Sequence, residues 1–184
     1  MTTRTRSRLY VSIAATILTA ALAVPAAAQT SCPDFGLAPG CLRGTFQGQD
    51  AHDTLAPDAT FVVIRTTATG VGTRLGQFSL NREVIGTFPD LRAAGAADWV
   101  AANGDSVHTT VVGHAEPSDL PGGFLKVTER HTITDGTGRF TGAQGSFTVE
   151  FFHKLEPSDI AGGVETHDIF GSFHGNITFP GAAP

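Results

Sequence analysis

Between Leu42 and Phe179 the chain runs in short segments that alternate apolar and polar residues, each cut off by Gly, Pro, Asn or Asp. A helix needs apolar residues recurring every three to four positions, and almost no segment here has that spacing, whereas alternation with period two is the mark of a half-buried strand. Strands are predicted over Leu42–Gln49, Thr60–Ala68, Arg74–Arg82, Val84–Phe88, Asp98–Ala102, Ser106–Ala115, Phe124–Thr134, Ser146–Leu155, Val164–Phe170 and Ser172–Phe179. Turns are predicted at Asn103-Gly104-Asp105, Asp135-Gly136-Thr137-Gly138 and Gly142-Ala143-Gln144-Gly145. Only Asp90–Ala97, rich in Ala, is read as a possible helical turn. Many short strands at this spacing specify an all-β sandwich or barrel.

The first residues have a different character. Arg4, Arg6 and Arg8 precede an apolar run from Leu9 to Val24, and Ala26 and Ala28 supply the small residues of an A-x-A cleavage site. Residues 1–28 therefore read as a signal peptide cut before Gln29, which makes the protein secreted or periplasmic. The run contains Ser12, Thr16 and Thr19 and falls short of the roughly 20 apolar residues of a membrane span, and no later stretch is long enough to be one.

Cleavage changes the charge. Of 12 basic and 17 acidic residues, three basic ones lie in the signal, leaving 9 against 17 and a net charge of −8 on about 156 residues. An acidic surface without a basic cluster argues against nucleic acid or anionic lipid as a partner. Cys32 and Cys41 are the two cysteines. In an exported protein their C-x8-C spacing favours a disulfide over a metal knuckle or a redox pair, with a stabilisation of about 2–3 kcal/mol. Residues 29–59 are thus expected to hold this loop and the first strand, and residues 60–180 the remaining strands, all in one domain.

An internal repeat lies in the second half. SVHTTVVGHAEPSDLPGGF from Ser106 matches SFTVEFFHKLEPSDIAGGV from Ser146, with Glu116-Pro117-Ser118-Asp119 over Glu156-Pro157-Ser158-Asp159 and Gly122-Gly123 over Gly162-Gly163. Each copy reads as a hairpin whose Ser and Asp bond local backbone amides, as suits an up-and-down barrel. Calcium binding by Asp119 and Asp159 is the alternative, although the oxygen donors are sparse for it.

At His131–Gly145 the chain reads HTITDGTGRFTGAQG. This resembles the I-T-G-G-x-G-x-F-x-G-A-x-G signature of plant allene oxide cyclases and dirigent proteins, and more closely small exported bacterial proteins grouped with the allene oxide cyclase barrel. Leu75–Ser79 (LGQFS) and Ala101–His108 (AANGDSVH) resemble two further segments of those proteins, so the likeness spans Phe61 to Phe179. It implies a single antiparallel barrel of about eight strands, calycin-type, with a cavity for a lipophilic molecule. Asp135 replaces the first glycine of the signature's pair, and a type I′ turn at Asp135-Gly136 accepts it. The hairpin's glycines permit close approach at a barrel corner, Phe140 is expected to plug the interior, and Arg139 reads as a solvated turn residue. The cyclase's catalytic positions find no counterpart here, so no catalytic residue is assigned.

Strand parity isolates the candidate site. Glu129 and His131 share a face with Leu125, Val127 and Ile133; His153 shares one with Phe147, Val149 and Phe151; Glu165 and His167 share one with Ile169, Phe173 and Ile177. His108 and His114 fall on the opposite face and are expected to be exposed. Buried ionisable groups need partners or a wet cavity. Three readings follow: a structural network, the polar end of a ligand pocket, or a metal site from His131, His153, His167 and Glu129. The candidate cavity set is Glu129, His131, His153, Glu165 and His167, with Phe147, Phe151, Phe170 and Phe173 alongside. Nucleophile elbows, phosphate loops and dinucleotide fingerprints are absent, and no cofactor is expected. The sequence thus favours a non-catalytic exported barrel that binds a small lipophilic molecule or a partner. A cofactor-free cyclase or isomerase, and a structural protein with a filled barrel, are the alternatives.

Overall fold

Every strand pairs with its neighbours in antiparallel fashion, and the first strand pairs with the last, so the sheet has no free edge around the ring. The computed structural model describes residues 40–180. Its strands are β1 (Cys41–Asp53), β2 (Phe61–Gly72), β3 (Gly76–Thr87), β4 (Arg92–Ala101), β5 (Ser106–Pro117), β6 (Phe124–Gly136), β7 (Gln144–Lys154), β8 (Asp159–Ala161) and β9 (Val164–Thr178). A single 3-10 turn, Gly138–Phe140, is the only helical element among the described residues. The order is β1-β2-β3-β4-β5-β6-β7-β9, closed by β1–β9 pairing, with the short β8 flanking β9 where β7 has ended. This is an all-β, eight-stranded antiparallel barrel with one extra strand. The predicted signal segment and Cys32 lie outside the described residues; Cys41, the predicted disulfide partner, is buried at the start of β1.

Several boundaries differ from the sequence expectation. The segments predicted either side of Glu83 are one strand, β3, and those either side of Gly171 are one strand, β9. The Ala-rich segment predicted as a helical turn is instead most of β4. Its small residues serve close packing: a Cβ on Gly95 would run into the Glu83 carbonyl oxygen of the neighbouring strand. Pairing on both sides overrides the modest helix preference of Ala, which is worth less than 1 kcal/mol per residue. The repeated E-P-S-D segments also diverge. The first links β5 to β6 by a loop in which Ser118 Oγ accepts a bond from Leu120 N at 3.1 Å. The second interrupts the row begun by β7, which resumes as β8 along β9, and the reversal itself falls at Gly162-Gly163.

One end of the barrel is plugged. Phe140 is 1% exposed and packs near Leu75, Ala143 and Ile177, as the resemblance implied. Arg139 is an exposed turn residue, as expected, and it also lies over the Phe140 ring at 4.7 Å and donates to the carbonyls of Arg74 and Leu75 at 3.2 and 2.9 Å, tying the plug down. Asp135-Gly136 is not a turn. Gly136 pairs with Val107 at the end of β6, and the chain reverses through the 3-10 turn that follows. Beyond the plug the core is aromatic, with Trp99 fully buried and edge-on to Phe46, Phe147 and Phe173.

Gly145 adopts φ +136°, and a Cβ there would strike Asn176 O on the neighbouring strand. Gly104 also has positive φ (+89°), but no atom lies within 4 Å of its Cβ position. Gly145→Ala should therefore lower stability in urea denaturation by more than Gly104→Ala, whose cost is limited to backbone strain of about 1 kcal/mol. Equal losses at the two sites would contradict this account of the corner.

Candidate functional site

Halfway along the barrel, the aromatic core meets a layer of charge. Parity on β3 places Phe78, Leu80, Arg82 and Val84 inward, and on β1 it places Phe46, Asp50 and His52 inward. Arg82 Nε donates to both Glu129 carboxylate oxygens at 3.1 Å, and Nη2 also bonds Glu129. Its Nη1 donates to Thr66 Oγ1 at 2.6 Å and lies 3.6 Å from Asp50 Oδ1. The Thr66 hydroxyl donates to Asp50. On one flank, His131 Nε2 is 3.2 Å from Glu129 and its Nδ1 is 3.0 Å from Thr109 Oγ1. On the other, His153 Nδ1 donates to Asp50 Oδ2 at 3.0 Å.

These environments set the protonation states. For Glu129, burial opposes the charge, but the Arg82 guanidinium and the His131 bond together hold its pKa below the usual carboxylate range. Asp50 behaves likewise: burial opposes ionisation, and His153, Arg82 and Thr66 overcome it. For His131, burial dominates and lowers the pKa, so the imidazole is neutral, with Nε2 facing Glu129 and Nδ1 facing the Thr109 hydroxyl. A buried charge layer of this kind is stable only while every member keeps its partner.

Above this layer the barrel opens into a cavity of about 250 Å³ at the end opposite the plug. Its walls are apolar, including Val62, Ile64, Leu125, Val127, Phe151 and Leu155, and its polar rim and floor include Asp50, His52, Arg82, His153, Glu165 and His167. A larger hollow of about 1150 Å³ lies against the outer wall, bordered by Phe152, Phe170 and the exposed Lys126–Glu150 pair. It is broad and open, and the buried charges lie elsewhere, so the mouth cavity is the candidate site.

The sequence-derived set therefore divides. His153, Glu165, His167 and Phe151 line the mouth cavity. Glu129 and His131 lie beneath it, around a void of only about 10 Å³. Phe147 and Phe173 belong to the solid core, where Phe147 stacks on His131 with centroids 5.1 Å apart. Phe170 is a correction. It is 44% exposed on the outer wall, packed with Phe124 and Phe152, because even-numbered positions of β9 face outward. His131, His153, His167 and Glu129 do not gather as one metal set, since Arg82 occupies the Glu129 oxygens and His131 is turned into the core. His114 is exposed, while His108 is half-buried and bonded to Asp98 at 2.6 Å.

A second cluster sits at the rim. His167 stacks between His153 (4.7 Å) and His52 (4.9 Å). The Nδ1 of His167 donates to Lys154 O at 2.9 Å, and that of His52 donates to Asp53 O at 2.9 Å. One ring nitrogen of each of His52 and His167 and a Glu165 carboxylate oxygen lie within 4.8 Å of one another, an arrangement with the donor chemistry to hold a cation. Asp50, His52, Thr66 and Arg82 were not singled out from the sequence, although the parity of β1 and β3 carries the signal for Asp50, His52 and Arg82.

No family model matches the chain, and the search of curated proteins gives no match. Among solved structures it is similar to the pterocarpan synthase dirigent protein GePTS1, at 12% identity and a TM-score of 0.20, over 82% of this chain and 99% of that one.

Removing Arg82 would strand two buried carboxylates. Arg82→Leu should lower stability by about 3–5 kcal/mol in chemical denaturation; a loss under about 1 kcal/mol would mean the layer is not what holds the barrel. A pH dependence follows as well. His131, Asp50 and Glu129 all have folded-state pKa values below their unfolded ones, so the stability each contributes is present above its unfolded pKa and is lost as pH falls toward the folded one. The melting temperature should begin to decline below about pH 6.5 as unfolded-state His takes up protons. It should fall further near pH 4 and below, as the two carboxylates follow. A melting temperature unchanged between pH 7.5 and 3.5 would contradict these protonation states.

Proposed function

We propose that this chain is an exported barrel, akin to the allene oxide cyclase and dirigent group, that holds a small lipophilic molecule in its open mouth without transforming it. The observation that carries the reading is the mouth cavity itself, which is apolar on its walls and charged only at its base and rim. Such a lining recovers the hydrophobic free energy of a ligand's body, about 25 cal/mol per Å² buried, while the polar groups fix one oriented end. At about 250 Å³ it lies just under the usual range for drug-sized ligands, which favours a compact guest with a single polar group. The Gly-rich hairpin at Asp135–Gly145 supports kinship with the barrel group, and the residues ahead of Gln29 support export.

The locked state of the buried layer favours binding over turnover. Glu129 has both oxygens engaged by Arg82, and the space around Glu129 and His131 is too small for a substrate. A cyclase or isomerase reading has one observation in its favour: the His153–Asp50 pair borders the cavity, and an imidazole oriented by a carboxylate is a competent proton carrier.

A dye-displacement screen of fatty-acid, terpenoid and phenolic ligands tests the proposal. Ala115 lines the mouth, and Ala115→Phe should fill it, weakening binding at least tenfold while leaving the circular dichroism spectrum unchanged. Binding that persists undiminished in a folded Ala115→Phe protein would place the ligand elsewhere. Product formation from a reactive epoxide, abolished by His153→Gln, would promote the second reading.

A further inference from the structure

We infer that His52, His167 and Glu165 form a binding site for a zinc-class divalent cation at the barrel rim, with an open coordination place facing the mouth cavity. The inference stands apart from the lipophilic ligand and does not require it.

Ligand identity comes first. Two imidazoles and one carboxylate supply N,N,O donors, the set that zinc and its first-row neighbours take in open sites. The donor atoms come from two adjacent strands. His52 is on β1, Glu165 and His167 are on β9, and His52 pairs directly with Glu165 in the β1–β9 ladder. Alternation along β9 puts Glu165 and His167 on the same inward face, two residues apart, so the three side chains converge by register.

Orientation is the second strand of the case. Each imidazole has its Nδ1–H committed to a backbone carbonyl, His52 to Asp53 and His167 to Lys154, both at 2.9 Å. In the neutral ring this leaves the lone pair on Nε2, and that of His167 faces Glu165 Oε2 at 3.6 Å. Fixing the tautomer through the distal nitrogen is how metal-binding histidines are ordinarily held. The stack of His52, His167 and His153 restrains ring rotation as well.

The third observation is an unmet need. His167 is 4% exposed, and its Nε2 is buried without a hydrogen-bond partner. The nearest charged atom is Glu165 Oε2, at 3.6 Å. A lone pair and a carboxylate oxygen facing each other in a nearly dry place repel unless something positive lies between them. A cation bound by Nε2 and the carboxylate would satisfy both atoms.

The geometry needs little adjustment. Tetrahedral ligands about 2.0–2.1 Å from a metal lie roughly 3.3 Å apart, and the donors here are within 4.8 Å, with His167 and Glu165 already at 3.6 Å. Glu165 is only half-buried. All three residues border the mouth cavity, which gives both an entry route and a place for an exchangeable water as the fourth ligand.

The test is titration of chelator-treated, full-length protein with Zn²⁺ alone by calorimetry, followed by Co²⁺ substitution read in visible absorption. One equivalent of Zn²⁺ should bind, and the Co²⁺ form should show the intense bands of a four- or five-coordinate N,N,O site. His52→Gln, His167→Gln and Glu165→Gln should each weaken binding at least tenfold, while His174→Gln, on the outer wall, should not. If the buried His167 variant fails to fold, the half-buried Glu165→Gln variant decides the matter. Absence of saturable binding to folded protein, or affinity unchanged in both the His52 and Glu165 variants, would overturn the proposal. Organic ligands are left out of the titration, so its failure leaves the lipophilic reading standing, and the reverse holds for the dye screen.

Discussion

One guanidinium group, at the middle of the barrel, has to neutralise two carboxylates that arrive from different walls. Arg82 on β3 meets Glu129 on β6 and, through Thr66 on β2, Asp50 on β1. From these the bonds run outward to His131 and Thr109, to Ala97 on β4, to His153 on β7 and by ring stacking to His167 on β9. All eight strands of the ring are thus joined by one connected polar layer. A buried arginine paired with a carboxylate contributes little net energy over an apolar substitute, but each member is costly to remove alone. What the layer supplies is specificity of arrangement: a register slip in any of these strands would turn its member outward and strand the others.

The layer also divides the barrel along its axis. On the plugged side, the buried rings of Trp99, Phe46, Phe78, Phe147 and Phe173 pack against one another in edge-on and tilted pairs. On the open side, the walls are apolar and enclose the mouth cavity of about 250 Å³. A barrel of eight strands sits at the size where the interior is either filled or just able to hold one small guest. Here it is filled with rings over one half and hollow over the other.

Architecture was legible in the sequence because alternation and turn residues act locally. The Gly-rich hairpin marked the plugged corner, and parity placed Glu129, His131, His153 and His167 inward. Two kinds of information were hidden. Asp50 lay one residue past the predicted end of its strand, and Arg82 stood at a boundary drawn between two segments that are one strand, so neither was weighed against its inward neighbours Phe46 and Leu80. The β4 segment was hidden for a different reason. Ala and Gly carry no periodic signal, and only close pairing with β3 makes a strand of them. Depth along the barrel was hidden too, since parity tells inside from outside but not floor from mouth; that is why Glu129 and His153 looked equivalent although one is sealed in and the other borders the cavity.

Both ends of the described chain belong to the plugged side. Cys41 opens β1 and Thr178 closes β9, and the two strands lie next to each other with Cys41 opposite Asn176. Gly40 and Pro180, the first and last described residues, therefore lie at the end away from the cavity. A fluorophore or a surface linker joined at Gly40 or Pro180 would leave the loops at residues 54–60 and 118–123, around the hollow half, clear of it.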